Sequence, residues 1–231
     1  MPDHEEIYRK QAEVYEMLVS KQSSLFEVIE TIKPVQGLDI LDMGAGTGRL
    51  TCSLAPSAKS ILALDESEAM LKVTANKLLN AGLQNWKTQV ADHRNLPVED
   101  KSIDLIVAGW SICYLASTNV QNWKNNIYQM MLEINRVLRP GGTAIIIESF
   151  GTGTEVPDPP DFLKEYYALL KNEYGYSHKW IRTDYDFQSL EEAERLTRFF
   201  FGDQFADRVV KDQMAHVPEC AGVWWLHIPE S

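Results

Sequence analysis

A strand-length apolar run, Leu38-Asp39-Ile40-Leu41-Asp42, passes through Met43 into Gly44-Ala45-Gly46-Thr47-Gly48 and then into a helix-forming stretch, Arg49 to Ala55. Glycines at a strand-to-helix turn let backbone approach a ligand closely. A near-continuous apolar strand behind them implies burial on both faces. The same alternation continues along the chain. Strand-like runs fall at Ser60 to Asp65, Trp86 to Val90, Ile103 to Gly109 and Thr143 to Ser149. Amphipathic helices are predicted from Glu68 to Asn80 and from Asn122 to Leu138, closed by Ala81-Gly82 and Pro140-Gly141-Gly142. Short apolar strands alternating with such helices predict a doubly wound α/β fold with a mostly parallel sheet.

The flanks follow other rules. The first ~35 residues are helical in pattern, with Ile7, Val14, Leu18, Leu25, Ile29 and Ile32 set among charges, and Pro34 and Gly37 end the segment. Gly151 to Pro160 is a loop, rich in glycine and proline. A helix rich in aromatics is predicted from Asp161 to Tyr174 and a strand from His178 to Asp184. Ser189-Leu190-Glu191-Glu192 fits a capping box, opening a helix to about Phe201. Gly222 to Ile228 is the last strand. The expected division is an N-terminal helical lid over 1–35 and a ligand-binding domain over 36–231, with a small helical cap inserted at about 151–186.

Charge and cysteine usage narrow the function classes. Acidic residues outnumber basic ones, 33 to 22, so the chain repels phosphate backbones and nucleic acid is not an expected partner. Cys52, Cys113 and Cys220 are odd in number and widely spaced, which excludes a complete disulfide framework and leaves no metal-ligand pair; metal is not expected. No apolar run reaches the ~18 residues of a membrane span, and the acidic start is unlike a secretory signal. A cytoplasmic protein is the expectation. Nothing in the sequence sets the oligomeric state.

The loop itself suggests a ligand. A carboxylate at Asp42, two residues before Gly44, would repel a pyrophosphate but can accept from the ammonium of an amino-acid group. S-adenosylmethionine carries such an ammonium, a sulfonium and no phosphate. Asp65, at the end of the second strand, stands where an acid takes both ribose hydroxyls. Asp92 follows the third strand, where it can accept from an adenine amino group while the backbone of His93 meets a ring nitrogen. Gly109-Trp110 ends the fourth strand with a small residue and a large aromatic. All of these fall at strand carboxyl ends, where open α/β sheets bind ligands.

On these residues the chain resembles the class I, S-adenosylmethionine-dependent methyltransferases. Leu38 to Leu50 looks like their first motif; Ser60 to Met70, Val90 to Pro97, Ser102 to Leu115 and Glu133 to Ser149 look like later ones. It is most similar to the small-molecule branch called methyltransferase type 11, over about residues 36 to 150. The resemblance implies a Rossmann-like, seven-stranded sheet whose last strand, Gly222 to Ile228, is antiparallel. It implies Gly44, Ala45, Gly46, Asp65, Glu66, Met70, Asp92, His93, Gly109 and Trp110 as cofactor contacts. It also implies an N-terminal helix closing over the cofactor, which offers Tyr8 and Tyr15 as lid residues. Where many relatives carry two histidines after the fourth strand, this chain has Cys113-Tyr114.

Methyl transfer from a sulfonium is an in-line displacement that needs positioning and exclusion of water, plus a base when the acceptor atom holds an acidic proton. Glu148 at the end of the fifth strand and His178 in the cap are the candidate bases, with Tyr114 beside them. Tyr166, Tyr167, Tyr174, Tyr176, Trp180 and Tyr185 are candidates for an aromatic substrate pocket. The expected function is methyl transfer to a small-molecule acceptor. A non-catalytic S-adenosylmethionine-binding protein and a nicotinamide-dependent oxidoreductase stay open as alternatives.

Overall fold

A computed structural model describes residues 2–230. Three short helices come first: α1 (His4–Lys10), α2 (Ala12–Val19) and α3 (Phe26–Ile32). Then follow β1 (Asp39–Met43), α4 (Arg49–Leu54), β2 (Ser60–Asp65), α5 (Glu68–Asn80), β3 (Trp86–Val90) and β4 (Ile103–Gly109). After a single turn, α6 (Cys113–Ala116), come α7 (Trp123–Val137), β5 (Leu138–Thr152), α8 (Asp161–Asn172), β6 (Ser177–Arg182) and β7 (Tyr185–Asp186). The chain ends with α9 (Leu190–Phe201), α10 (Asp203–Lys211), β8 (His216–Val217) and β9 (Glu219–His227).

Seven strands form one sheet in the order β3-β2-β1-β4-β5-β9-β6. The pairings from β3 to β5 are parallel, and β9 runs antiparallel between β5 and β6. This is the doubly wound α/β sheet expected from the alternating runs. Neighbouring residues of a strand face opposite sides, so one strand serves two cores. Leu41, Met43, Ile106 and Ile146 pack with Met130 and Ile134 of α7 and Tyr166 of α8. Ile40, Leu105, Val107 and Ile145 pack with Ile29 of α3 and with Leu50 and Leu54 of α4. Fully burying each such side chain contributes roughly 1.5–3 kcal/mol, which fixes the direction in which every strand end points.

Local signals set the helix starts. Ser67 Oγ accepts from Met70 N to open α5. Ser189 Oγ accepts from Glu192 N, as the capping box predicts, while Glu192 reaches one residue past the cap and accepts from Gln188 N. The C-terminal part departs from expectation in two places. The strand expected from His178 is β6, which joins the main sheet as its edge instead of belonging to a separate cap. A further helix, α10, follows Gly202, whose φ of +88° breaks the path from α9. Leu18 of α2 packs with Leu196 of α9 and Val209 of α10, so the chain's start and the region before β9 share a core. Gln22 Nε2 donates to Thr183 O, and Asp186 N donates to Lys21 O, fastening the two.

Candidate functional site

The carboxyl ends of β1, β2 and β4 open into a cavity of about 740 Å³, covered on its outer side by α1 and α2. That volume is ample for a nucleoside-sized ligand together with a small second molecule. Asp42, Gly44, Ala45, Gly46, Asp65, Glu66, Met70, His93, Gly109 and Trp110 all line it, as does Tyr15. Residues spread over half the chain thus converge as the motif spacing predicted.

The turn after β1 shows why glycine stands at two of its positions. Gly44 has φ +86°, and a Cβ there would collide with Ser111 and crowd His93 Nε2. Gly46 has φ +54° and nothing within 4 Å of where its Cβ would be. The first glycine lets β1 lie close to the turn after β4; the second keeps a wall of the cavity bare.

Three carboxylates line this turn, each held differently. Asp42 is 1% exposed; its Oδ2 accepts from Thr51 Oγ1 at 2.6 Å, while Oδ1 is buried without a partner. Burial pushes its carboxyl up to about 7, against the pull of the Thr51 hydrogen bond. Asp65 accepts the backbone N–H of Gly46 and of Ser67, both at 2.8 Å, which aims the carboxylate and leaves lone pairs for further donors. Burial raises its pKa while those two amides lower it. Glu66 is also raised, by burial first and then by Asp92. Such an acid-lined turn suits an ammonium and sugar hydroxyls and repels a pyrophosphate. The orphaned Asp42 Oδ1 and the bare face of Gly46 therefore fit S-adenosylmethionine.

Two expected contacts differ. Asp92 does not line the cavity, because Arg94, two residues on, clamps its carboxylate with Nε at 2.9 Å and Nη2 at 2.5 Å. His93, expected to act through its backbone, instead turns its side chain inward: it is 7% exposed, and burial lowers its pKa to about 4, keeping the ring neutral.

The candidate bases also lie elsewhere. Glu148 is fully buried behind the cavity wall; its Oε1 accepts from Cys113 N at 2.9 Å, and burial pushes its carboxyl up to about 7. His178 sits on β6 at the register of Trp224, its ring stacked on Trp224 at 4.6 Å and 5.2 Å from Phe150. The pairing of β6 with β9 carries it away from the strand ends. Tyr166, Tyr167 and Tyr176 are core residues beneath β5, with Tyr174 partly buried against them, and Tyr185 belongs to the core under α9; Trp180 faces solvent. None of the six lines the cavity.

What closes the cavity instead is an aromatic lid. Tyr8 of α1 shares a hydrogen bond with Tyr114 through their hydroxyls, and Tyr114 Oη lies 3.2 Å from His4 Nδ1. His4 stacks on Phe200 at 4.4 Å, and its Nε2 lies 3.0 Å from Phe200 O. A carbonyl only accepts, so Nε2 carries the proton and Nδ1 accepts from Tyr114. Tyr15 packs edge-on to Tyr8 at 5.3 Å, and its hydroxyl is pushed up to about 12 by burial.

Sequence reasoning missed Arg49 altogether. It is the first residue of α4, where a cation opposes the helix dipole, and that mismatch was the available signal. Its guanidinium lies 4.1 Å over the ring of Trp110. Trp110 itself has φ +51°, a strained backbone of the kind found at ligand clamps.

Comparison with known proteins agrees with this geometry. Residues 41–146 match the family described as methyltransferase domain. The demethylmenaquinone methyltransferase of Staphylococcus aureus is 30% identical over 180 residues, covering 70% of this chain and 66% of that protein. Phosphoethanolamine N-methyltransferase 3 of Arabidopsis thaliana is 32% identical over 120 residues, 49% of this chain; the chain spans 24% of that relative's length. It spans 19% of the corresponding Triticum aestivum enzyme. The YcgJ protein of Bacillus subtilis superposes with a TM-score of 0.62 at 15% identity, covering 90% of this chain and 99% of that one, a likeness of fold. On the matched domain, the Staphylococcus aureus relative and the shared sheet, this chain belongs to the class I, S-adenosylmethionine-dependent methyltransferase family.

Proposed function

We propose that this chain transfers the methyl group of S-adenosylmethionine to a small-molecule acceptor. The observation that carries the reading is the turn after β1, where Asp42, one of whose carboxylate oxygens has no partner, and Asp65, whose carboxylate is fixed by two amides, line one cavity. Asp42 would take the ammonium, Asp65 the ribose, and Glu66, Met70 and His93 would flank the base. Trp110 and Tyr15 would border the amino-acid end. When bound, the cofactor supplies a methyl carbon already activated by its positive sulfur.

The chain's own residues then have three tasks. The α1 lid excludes water, held shut through Tyr8, Tyr114 and His4. The turn carrying Tyr114 is fixed from behind by Glu148, which holds Cys113 N; we read Glu148 as a positioning residue. A proton leaving an acceptor can pass to Tyr114 Oη as that hydroxyl gives its own to His4 Nδ1. This path matters for a hydroxyl or an acidic carbon, and is dispensable for a neutral amine.

Relatives named for demethylmenaquinone and phosphoethanolamine support a small acceptor. Among the described residues no helix is long and apolar enough to cross a membrane. Three free cysteines support a reducing, cytoplasmic setting. The test is calorimetry with S-adenosylhomocysteine and with NAD, followed by transfer of radiolabel from the methyl group to candidate acceptors. Heat with NAD alone would refute the assignment. Heat with S-adenosylhomocysteine and no transfer to any acceptor would leave a binding protein in place of an enzyme.

A further inference from the structure

Nothing in the preceding scheme uses the charge of Arg49, and unlike Glu5, Arg9, Glu68 and Lys72, the other unused charges lining the cavity, it is not exposed to solvent. Its Nε and Nη2 are shut off from solvent and have no hydrogen-bond partner. Among the described residues it makes no ion pair. One face of the guanidinium is covered by Trp110, and of its three nitrogens only Nη1 is not enclosed, which makes Nη1 the donor open to the cavity. The groups nearest to it electrostatically are Tyr185, Tyr15 and Glu219. None of these pairs with it: no ion pair or hydrogen bond joins Arg49 to them, and burial pushes up the Tyr15 and Tyr185 hydroxyls and the Glu219 carboxyl. A desolvated guanidinium without a counter-charge is costly and persists only where something else requires it.

We infer that Arg49 is the receptor for an oxyanion, a carboxylate or phosphate, that enters the cavity as part of a ligand and accepts from Nη1 of the guanidinium. The stacking on Trp110 holds the guanidinium in place, so little side-chain entropy is lost on binding. The oxyanion has two possible sources. One is the amino-acid end of S-adenosylmethionine, which rests on the methyltransferase reading above. The other is an acidic group on the acceptor. Arg49 adjoins the glycine turn on one side and Trp110, at the end of β4, on the other, so it can be reached from both.

Calorimetry of S-adenosylhomocysteine and of 5′-methylthioadenosine, which lacks the amino-acid end, separates the sources in wild type, Arg49→Gln and Arg49→Lys. If the cofactor supplies the anion, Arg49→Gln weakens S-adenosylhomocysteine by roughly 10–100-fold, leaves 5′-methylthioadenosine unchanged, and Arg49→Lys recovers only part. If the acceptor supplies it, both nucleosides bind all three proteins alike. Acetate or phosphate then perturbs the Trp110 fluorescence of the S-adenosylhomocysteine-loaded wild type and not of Arg49→Gln, with Trp110→Phe identifying the signal. Should both nucleosides bind the variants normally and neither anion move that signal, with or without nucleoside, the inference is wrong. Should neither nucleoside bind wild type, the methyltransferase reading fails, and the anion titrations of the unloaded proteins still decide on Arg49. Circular dichroism and the melting temperature of each variant establish that it has folded.

Discussion

Thr51 Oγ1 donates to Asp42 Oδ2 across 2.6 Å, and the other carboxylate oxygen, Oδ1, is left buried and without a donor. The hydroxyl comes from the first turn of α4 and the carboxylate from the end of β1, so the glycine turn between them is closed like a clasp. One oxygen is spent on the fold. The other is the one proposed to meet the ligand's ammonium.

That division predicts a pH dependence for cofactor binding. Burial holds the Asp42 carboxyl near 7 in the empty protein, so acid conditions leave it protonated and unable to pair with an ammonium. Affinity for S-adenosylhomocysteine should rise with pH through about 7 and then level off. Binding near pH 7 should release protons, visible as a calorimetric enthalpy that depends on the buffer's ionisation heat. Asp42→Asn should bind about 10–100-fold more weakly at pH 8 and lose the dependence. An affinity that is flat from pH 6 to 8.5 in wild type would rule out Asp42 as the ammonium partner.

Glu148 makes a separate prediction, about stability. Its carboxyl is raised to about 7 in the fold, against an unfolded value near 4.5. A raised carboxyl contributes its stability below the unfolded pKa and loses it as pH climbs through the folded one. Roughly 2–3 kcal/mol more should therefore disappear between pH 4.5 and 8 in wild type than in Glu148→Gln, since Asp42 and Glu219, also raised, titrate in that window in both proteins. His93, lowered to about 4, works the other way below pH 6.5, so the informative quantity is the difference between the two proteins. Urea unfolding at several pH values measures it. A constant difference would mean that Glu148 is ionised in the fold.

The lid can be tested without chemistry. Tyr114→Phe removes the hydrogen bonds to Tyr8 and His4 while keeping the ring. Tyr114 is 42% exposed, so the loss of overall stability should be small, about 1 kcal/mol. The local effect should be larger: faster amide exchange over 4–19 and a several-fold faster release of S-adenosylhomocysteine. Unchanged exchange in α1 would show that the lid is held by Phe200 and the α2 packing instead.

How much of this could be read from the chain follows from how local each signal is. β4 was legible because its apolar residues are contiguous, and the glycine turn because positive φ restricts the residue type. Asp65 was legible because a strand end and a following cap lie within a few residues of each other. Asp92 stands at a motif position, but its carboxylate is taken by Arg94, two residues away, an ion pair as local as the motif itself. His178 could not be placed at all. Its location depends on β9 inserting between β5 and β6, a pairing across some forty residues that no local pattern encodes. The aromatic residues of α8 were legible as a cluster, but whether they line a cavity or fill a core depends on what packs opposite.

The two glycines of the turn should separate folding from binding. A side chain at Gly44 has nowhere to go, because Ser111 and His93 already occupy the space and the backbone angle is +86°. Gly44→Ala should lower stability by about 1–3 kcal/mol and abolish binding with it. At Gly46 the space is empty and the angle is +54°, in the left-handed region that an alanine adopts at a cost of about 1 kcal/mol. Gly46→Ala should fold, keep its melting temperature within a few degrees, and still lose affinity for S-adenosylhomocysteine, because its methyl group projects where the ligand must lie. Thermal unfolding and calorimetry on the pair give the comparison. If Gly46→Ala binds as tightly as wild type, that bare wall does not face the ligand, and the cradle built on Asp42 and Asp65 has to be rotated accordingly.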